Sequence, residues 1–522
     1  MAADELPRTV DVAVIGAGHN GLVAATILAR AGLRVAVLER DVVGGAARTE
    51  HPFPRVPDLG QSTGAYLLGL MPPELIALLG IDIPVLRRDP HYLLATTGST
   101  YLSVGTDREA ARRQLEEFFS PADARADDAL QAELGELRED LASAWLAEPL
   151  SVEDTAERYV RPQLRETFVS LCRGSVTEYL DRFGFGSEQL MAMYVVTDAL
   201  TGAYAGPDSP GTGHNFLVHN MGRLPGSDGT WMIVRGGMGT VTGKLADAAR
   251  AAGATIAAGA TVSQVQTSGG SAAGVVLDDG RELTARAVLG CCDPFRLHDL
   301  LGEAAPAELT ERLRRLRRPG TTLKVNLALR DLPELRCLPP GTANPFGATI
   351  HLLPEEAPLD ALRRMWQDVQ AGALPDAPPI EWYVHTTVDP SLSDAAGHHS
   401  SALFVQSVPY APTGTSWDDA LPGYVDRLLA LCDRYAPGTS DLVADVYALP
   451  PPAIEEHFGI TGGNIFHVDN TVAFADRMPY ATGVDGVYAG SAGCHPAGSV
   501  IGAAGHNAAQ RILRDLGVPS IG

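Results

Sequence analysis

Gly16, Gly18 and Gly21 stand in the spacing G-x-G-x-x-G, within Gly16-Ala17-Gly18-His19-Asn20-Gly21. An apolar run, residues 10–15, precedes them, and an alanine-rich stretch reaching Arg30 follows. A second apolar run, residues 34–38, ends at Glu39. This order predicts strand, tight turn, helix, strand and acid. The first glycine permits the turn, the second admits a pyrophosphate to the backbone, and the third lets helix and strand pack closely. Free N–H groups at the helix N-terminus favour the phosphate charge. A carboxylate at the end of the second strand can accept hydrogen bonds from ribose hydroxyls, which is the role expected of Glu39. The chemistry is therefore dinucleotide binding.

Glu39-Arg40 runs on into Gly44-Gly45-Ala46-Ala47-Arg48-Thr49. This glycine pair with its arginine resembles the second phosphate-contacting loop of FAD proteins of the glutathione reductase and amine oxidase type, which NAD-only dehydrogenases lack. The alternative is a surface turn with a solvated arginine. A second glycine run, residues 237–244, ends in Gly243-Lys244, but Leu245 stands where a P-loop needs a magnesium-binding hydroxyl, so that reading is rejected.

Other residue types are candidates for catalysis. Lys324, one of only two lysines with Lys244, alternates with Asn326 in a strand whose other face is Leu323, Val325, Leu327 and Leu329. It faces either a cavity or solvent. His219 and Asn220, before the second glycine run, either line a substrate cavity or satisfy backbone groups. His398-His399 has no nearby carboxylate or cysteine pattern, so no metal site is expected. The six cysteines include no C-x-x-C pair, which gives no sign of a redox disulfide or zinc ribbon.

The elements that must position these groups follow from the pattern. Residues 240–252 read as a helix, followed by short strands near 255–256, 261–267 and 274–277, a hairpin turn at Asp278-Asp279-Gly280, and a strand at 285–291. Near the C-terminus, residues 486–490 read as a strand, 491–498 as a small-residue loop and 500–516 as a helix. Between these α/β blocks, residues 108–181 are charged with a helical period, while 321–329, 380–388 and 403–408 alternate as strands. Residues 66–86 are strongly apolar with no basic residue before Arg87, which favours core or cavity wall over an interfacial membrane anchor.

A chain of 522 residues suits two domains. Its net charge of −23 argues against nucleic acid and anionic membranes as partners. Residues 1–9 show no leader pattern, and 10–38 are too interrupted by glycine and arginine to span a membrane. Reduced cysteines fit a cytoplasmic enzyme. Oligomeric state is left open.

Taken together, GAGHNGLVAA at 16–25, GGAARTE at 44–50, LVHNMG at 217–222, RGGMG at 235–239, GGNIFH at 462–467 and GSAGCHPAGSVIGAAGHNAA at 490–509 resemble the phytoene desaturase-related FAD oxidoreductases. Within these, the set is most similar to the branch called pyridine nucleotide-disulphide oxidoreductase domain proteins. The resemblance spans nearly the whole chain. It implies an α/β fold in which a discontinuous Rossmann-like FAD-binding domain carries an inserted α+β substrate domain. The FAD segments would be 1–70, 230–300 and 456–522. The substrate segments would be 71–229, mainly helical, and 301–455, containing the sheet. It also implies hydride transfer from an apolar small molecule to flavin N5, with oxygen or a quinone as acceptor.

The same resemblance assigns FAD contacts to Gly16, Gly18, His19, Asn20, Gly21, Glu39, Arg40, Gly45, Ala46 and Arg48. Gly60, Gln61 and Ser62 would lie by the flavin, and the backbone at Val262 by the adenine. Gly490, Ser491, Ala492 and Gly498 belong to the C-terminal FAD loop. Val500 and Ile501 would offer N–H groups to the N1/O2 edge. His495 would lie near the flavin, as proton acceptor or polariser, or would only shape its turn. Cys494 would form a covalent flavin link or simply pack. Ala497-Gly498-Ser499, His506 and Cys494 depart from the family pattern, which bears on flavin tuning rather than on the cofactor. With His495, Lys324 and His219 as the polar candidates, the cavity is expected to be mostly apolar. Two rival readings share the fold: a flavin-dependent isomerase without net oxidation, and a non-catalytic escort protein, against which the intact glycine and Glu39 set speaks.

Overall fold

The first strand, Thr9–Ile15, is apolar almost throughout and lies at the centre of a seven-stranded sheet, buried on both sides. It pairs in parallel with Val35–Glu39 on one side and Glu282–Gly290 on the other. Thr255–Ala258 extends the parallel set beyond Val35–Glu39, and Val487–Ala489 joins Glu282–Gly290. The hairpin Val262–Ser268 and Ser271–Leu277 adds antiparallel strands next to Glu282–Gly290. The structure, a computed structural model, describes residues 6–342 and 345–520. Residues 1–5 of the segment read for a leader lie outside the described residues.

This sheet draws its strands from three distant parts of the chain, as the discontinuous FAD fold requires. Helices His19–Arg30, Gly239–Ala251 and Ala503–Asp515 pack against it or one another through alanine and branched aliphatic side chains. The last helix starts three residues later than the pattern predicts. Gly502, at φ +80°, caps it, and residues 500–502 lie outside the helix.

The second sheet also has seven strands, ordered Val443–Leu449, Leu323–Leu329, His399–Val405, Ile380–Val384, Thr349–Leu352, Tyr92–Ala95 and Tyr101–Val104. All neighbours are antiparallel except Thr349–Leu352 with Tyr92–Ala95. Side chains alternate across it with period two. One face carries Leu323, Val325, Leu327, Ile350, Trp382, Leu403 and Val405, which pack with Leu428 and Cys432 of the long helix Trp417–Tyr435 in a dry core. The other face carries Lys324, Asn326, Thr349, Glu381, Tyr383 and Phe404.

Residues 71–229 contain the helices the charged periodicity of 108–181 predicts, among them Pro121–Asp140, Val152–Tyr159 and Arg165–Arg173, and beyond that stretch the helix Thr212–His219. They also supply two strands of the second sheet, Tyr92–Ala95 and Tyr101–Val104. These are too short for a period-two signal. The apolar stretch 66–86 is not an anchor: Leu68, Leu70, Met71, Leu75 and Leu79 are each 2% exposed or less and belong to the cores. Among the described residues no helix is long and apolar enough to cross a membrane.

Candidate active site and dinucleotide cavity

A cavity of about 490 Å³ runs between the two sheets. Gly16, Gly18, His19, Asn20, Glu39, Arg40, Gly45, Ala46 and Val262 line it on the side of the first sheet. Tyr66, Arg88, Asp198, His219, Trp231, Lys324, Glu381, Tyr383 and Phe404 line it as well, on the side of the second sheet and its covering helices. Ala492 and Val500 reach it from the C-terminal segment.

The glycine turn is built as its spacing demands. Gly16 has φ +102°, and a Cβ on Gly21 would lie 2.1 Å from the Gly16 carbonyl oxygen. A Cβ on Gly18 would meet nothing within 4 Å, so the turn is open where a phosphate must approach. Glu39 is buried, and its carboxylate accepts from the backbone N–H of Ala17 (2.8 Å) and of Asp41 (3.0 Å), which fixes it at the strand end. Asn20 Oδ1 accepts from the Gly505 N–H at 3.2 Å and ties the first helix to the last. His19 is neutral, its pKa lowered to about 4 by burial, and its Nε2 has no partner among the described residues. An open turn, a fixed acid and an unpartnered buried imidazole fit an FAD held through its pyrophosphate and ribose.

Other expected cofactor residues lie outside the cavity lining. Arg48 is ion-paired with Asp41 (2.8 Å) and Glu50 (3.4 Å) and lies over the Phe458 ring. Gly60 donates its N–H to Leu392 O. Gln61 donates to Asn326 Oδ1 (3.0 Å) and accepts from Ser400 Oγ, and Ser62 Oγ accepts from the Met238 N–H. Gly490, Ser491 and Gly498 are occupied in backbone hydrogen bonds, and none of them lines the cavity. Ile501 corrects an expectation: its N–H donates to Ser499 O and its side chain packs in the helical core. Only Val500 of that pair borders the cavity.

His495 is a second correction. It does not line the cavity. Its Nε2 donates to Ala144 O at 3.0 Å, its ring packs on Phe474, and burial lowers its pKa to about 4. Cys494 is fully buried, its thiol pushed up to about 12 by burial, and it too lies outside the cavity. His398 does have a carboxylate partner, Asp394 Oδ2 at 2.7 Å, four residues earlier. Among the described residues no three acids, histidines or cysteines cluster as a metal site.

Lys324 and His219 do border the cavity. Lys324 is 6% exposed, and its Nζ lies 4.1 Å from the centroids of both Tyr66 and Phe404. Burial lowers its pKa to about 7, against a smaller opposing pull from Glu381. Tyr66 is itself fixed by donating to Asn326 Oδ1. His219 donates from Nδ1 to Asp198 O (2.8 Å), which leaves Nε2 as the acceptor, and the ring stacks on Trp231. Burial holds its pKa at about 4.

The cavity holds more ionisable groups than the polar candidates His495, Lys324 and His219 allow for. On the side of the second sheet the cavity is also lined by Arg88, Asp198 and Glu381. Burial raises both carboxyls to about 7. Glu381 accepts from the Tyr383 hydroxyl at 2.6 Å. A signal for Glu381 was present in Ile380-Glu381-Trp382-Tyr383-Val384, where an acid alternates with large apolar residues.

This combination of a dinucleotide turn with a walled cavity beside a second sheet defines an FAD-dependent oxidoreductase, and the chain belongs to the flavin-containing amine oxidoreductase family, whose model matches residues 21–389. It is 34% identical over 566 residues to mouse pyridine nucleotide-disulfide oxidoreductase domain-containing protein 2, covering 99% of this chain and 95% of that protein. Phytoene dehydrogenase of Streptomyces griseus is 26% identical over 455 residues, covering 81% of this chain and 78% of that protein. Among solved structures, an oxidoreductase from Methanosarcina mazei has the same fold, with a TM-score of 0.61 at 17% identity, covering 97% of this chain and 100% of that one.

Proposed function

We propose that the chain oxidises a small molecule with an apolar body, removing a hydride and a proton from it. The observation that carries this reading is Lys324, a buried amine set between two aromatic rings in a cavity continuous with the dinucleotide turn. The chemistry supplied by bound FAD is two-electron acceptance at N5, with oxygen or a quinone as the onward acceptor. The protein's own contribution is positioning and proton transfer. Tyr66, Phe404, Trp231 and Phe466 offer ring faces and edges to the substrate body and exclude water. With a pKa near 7, the Lys324 amine is substantially unprotonated at neutral pH and can take the proton released as the hydride leaves. His219 Nε2 is the second acceptor on the wall.

The test is anaerobic mixing of the FAD-loaded protein with alcohols, amines and unsaturated hydrocarbons, followed by flavin bleaching and product mass. Bleaching with a product lighter by two hydrogens supports the reading. Bleaching by NADH or NADPH instead, at a rate matching turnover, overturns it, since only one full dinucleotide motif is present and FAD occupies it.

A further inference from the structure

Arg88 is fully buried, at 1% exposure, and lines the cavity. Its Nε donates to Trp231 O at 2.9 Å and its Nη1 to Thr349 Oγ1 at 2.7 Å. Both acceptors are uncharged. Its Nη2 has no hydrogen-bond partner, and no carboxylate lies within ion-pair distance of the guanidinium, among the described residues. A guanidinium carries five N–H groups. Two are used here, so the edge formed by Nη1 and Nη2 keeps three.

An arginine withdrawn from water without a counter-anion is costly by several kcal/mol, and folds keep such groups where an anion completes them. Glu381 and Asp198 share the cavity but stand beyond ion-pair distance. Glu381 is occupied by Tyr383, Thr201 and Gln406, and Asp198 by Asn220. The Trp231 carbonyl and Thr349 hydroxyl hold the fork in one orientation, which removes most of the ordering cost of binding. The forked edge suits a planar two-oxygen anion better than a point charge.

We propose that Arg88 recognises a carboxylate on the substrate, so that the molecule oxidised is an acid with an apolar body. The Nη1 and Nη2 edge would pair with the two carboxylate oxygens, while the aromatic walls take the body. This rests on the cavity being the oxidation site, and it can fail separately from that reading.

The test uses the FAD-loaded protein and a matched pair of probes, 4-phenylbutyrate and its uncharged amide. Binding is read from the perturbed flavin spectrum and from protection against thermal flavin release. The acid should bind at least tenfold more tightly than the amide. Arg88→Gln should bring the two within threefold while leaving flavin content and amide affinity unchanged. If Arg88→Gln loses its flavin, Arg88→Lys, which keeps the charge without the fork, should still lose most of the preference. Equal binding of acid and amide, binding of neither, or a preference that survives in the variants would each overturn the proposal. A protein that prefers the acid but is reduced by no substrate would instead overturn the oxidoreductase reading.

Discussion

Lys324→Met should make the protein more stable at neutral pH while slowing substrate-driven flavin reduction. Burial lowers the lysine pKa from 10.5 to about 7. Below pH 10.5 the unfolded chain binds a proton that the folded chain refuses until about pH 7. Folding therefore loses stability as pH falls through that window and loses no more below it. The difference of about 3.5 units, at 1.36 kcal/mol each, amounts to about 5 kcal/mol. Methionine fills a similar volume and carries no charge to desolvate.

For 522 residues, an unfolding entropy of about 2.1 cal/mol/K per residue gives about 1.1 kcal/mol/K, so the variant should melt up to about 4 °C higher at pH 7. The gap should close by pH 10.5. Thermal melts of the FAD-loaded proteins from pH 6.5 to 10.5 measure it. If the amine is the proton acceptor, single-turnover flavin reduction should fall by about 10²–10⁴-fold. A variant that melts lower at every pH would refute the burial argument. Full-speed reduction would refute the proton-acceptor role.

Glu39→Ala should raise the FAD dissociation constant by about ten- to a hundredfold, from about 1.5–3 kcal/mol of lost charged hydrogen bonding, with the fold retained. Equilibrium dialysis measures it, and unchanged affinity would place the ribose elsewhere. Gly21→Ala forces a methyl group to within 2.1 Å of Gly16 O, so the turn must shift, and flavin content after purification should fall to near zero. A yellow, stable variant would show that the turn tolerates the side chain. His495→Ala should leave flavin reduction rates within about twofold, because the ring bonds to Ala144 O outside the cavity, while thermal stability drops by about 1–3 kcal/mol from the unmade hydrogen bond. A tenfold slower reduction with an unaltered flavin spectrum would return His495 to the mechanism.

The strand, glycine turn, helix, strand and Glu39 were legible because that signal is local: consecutive residues set the turn, the helix start and the acid. The FAD assignment drew on widely spaced segments whose resemblance was collective. Lys324 was only half legible. Alternation separates it from Leu323 and Val325, but cannot tell that the polar face is covered too, by Tyr66 and the helices near Asp198 and His219. Arg88 and Asp198 carried no usable pattern, since each is a single charge whose partners lie far along the chain. His495 was placed by resemblance of its loop, and a loop's path does not say which way one ring turns.

The inner strands Leu323–Leu329, His399–Val405, Ile380–Val384 and Thr349–Leu352 of the second sheet are buried on both faces, and this gives their polar side chains a second task. Sliding one strand by a single residue would send Lys324 or Glu381 into the apolar layer beneath the helix Trp417–Tyr435, and bring Val325 or Trp382 up in its place. An ionisable group stranded there has no partner and costs several kcal/mol, whereas a slip between two apolar faces would cost far less. The groups proposed to bind and transform the substrate therefore also act as keys to strand alignment. Exchanging them for aliphatic residues to change specificity would loosen the rule that selects one pairing over its neighbours. Such redesigns should keep at least one polar residue per strand on that face.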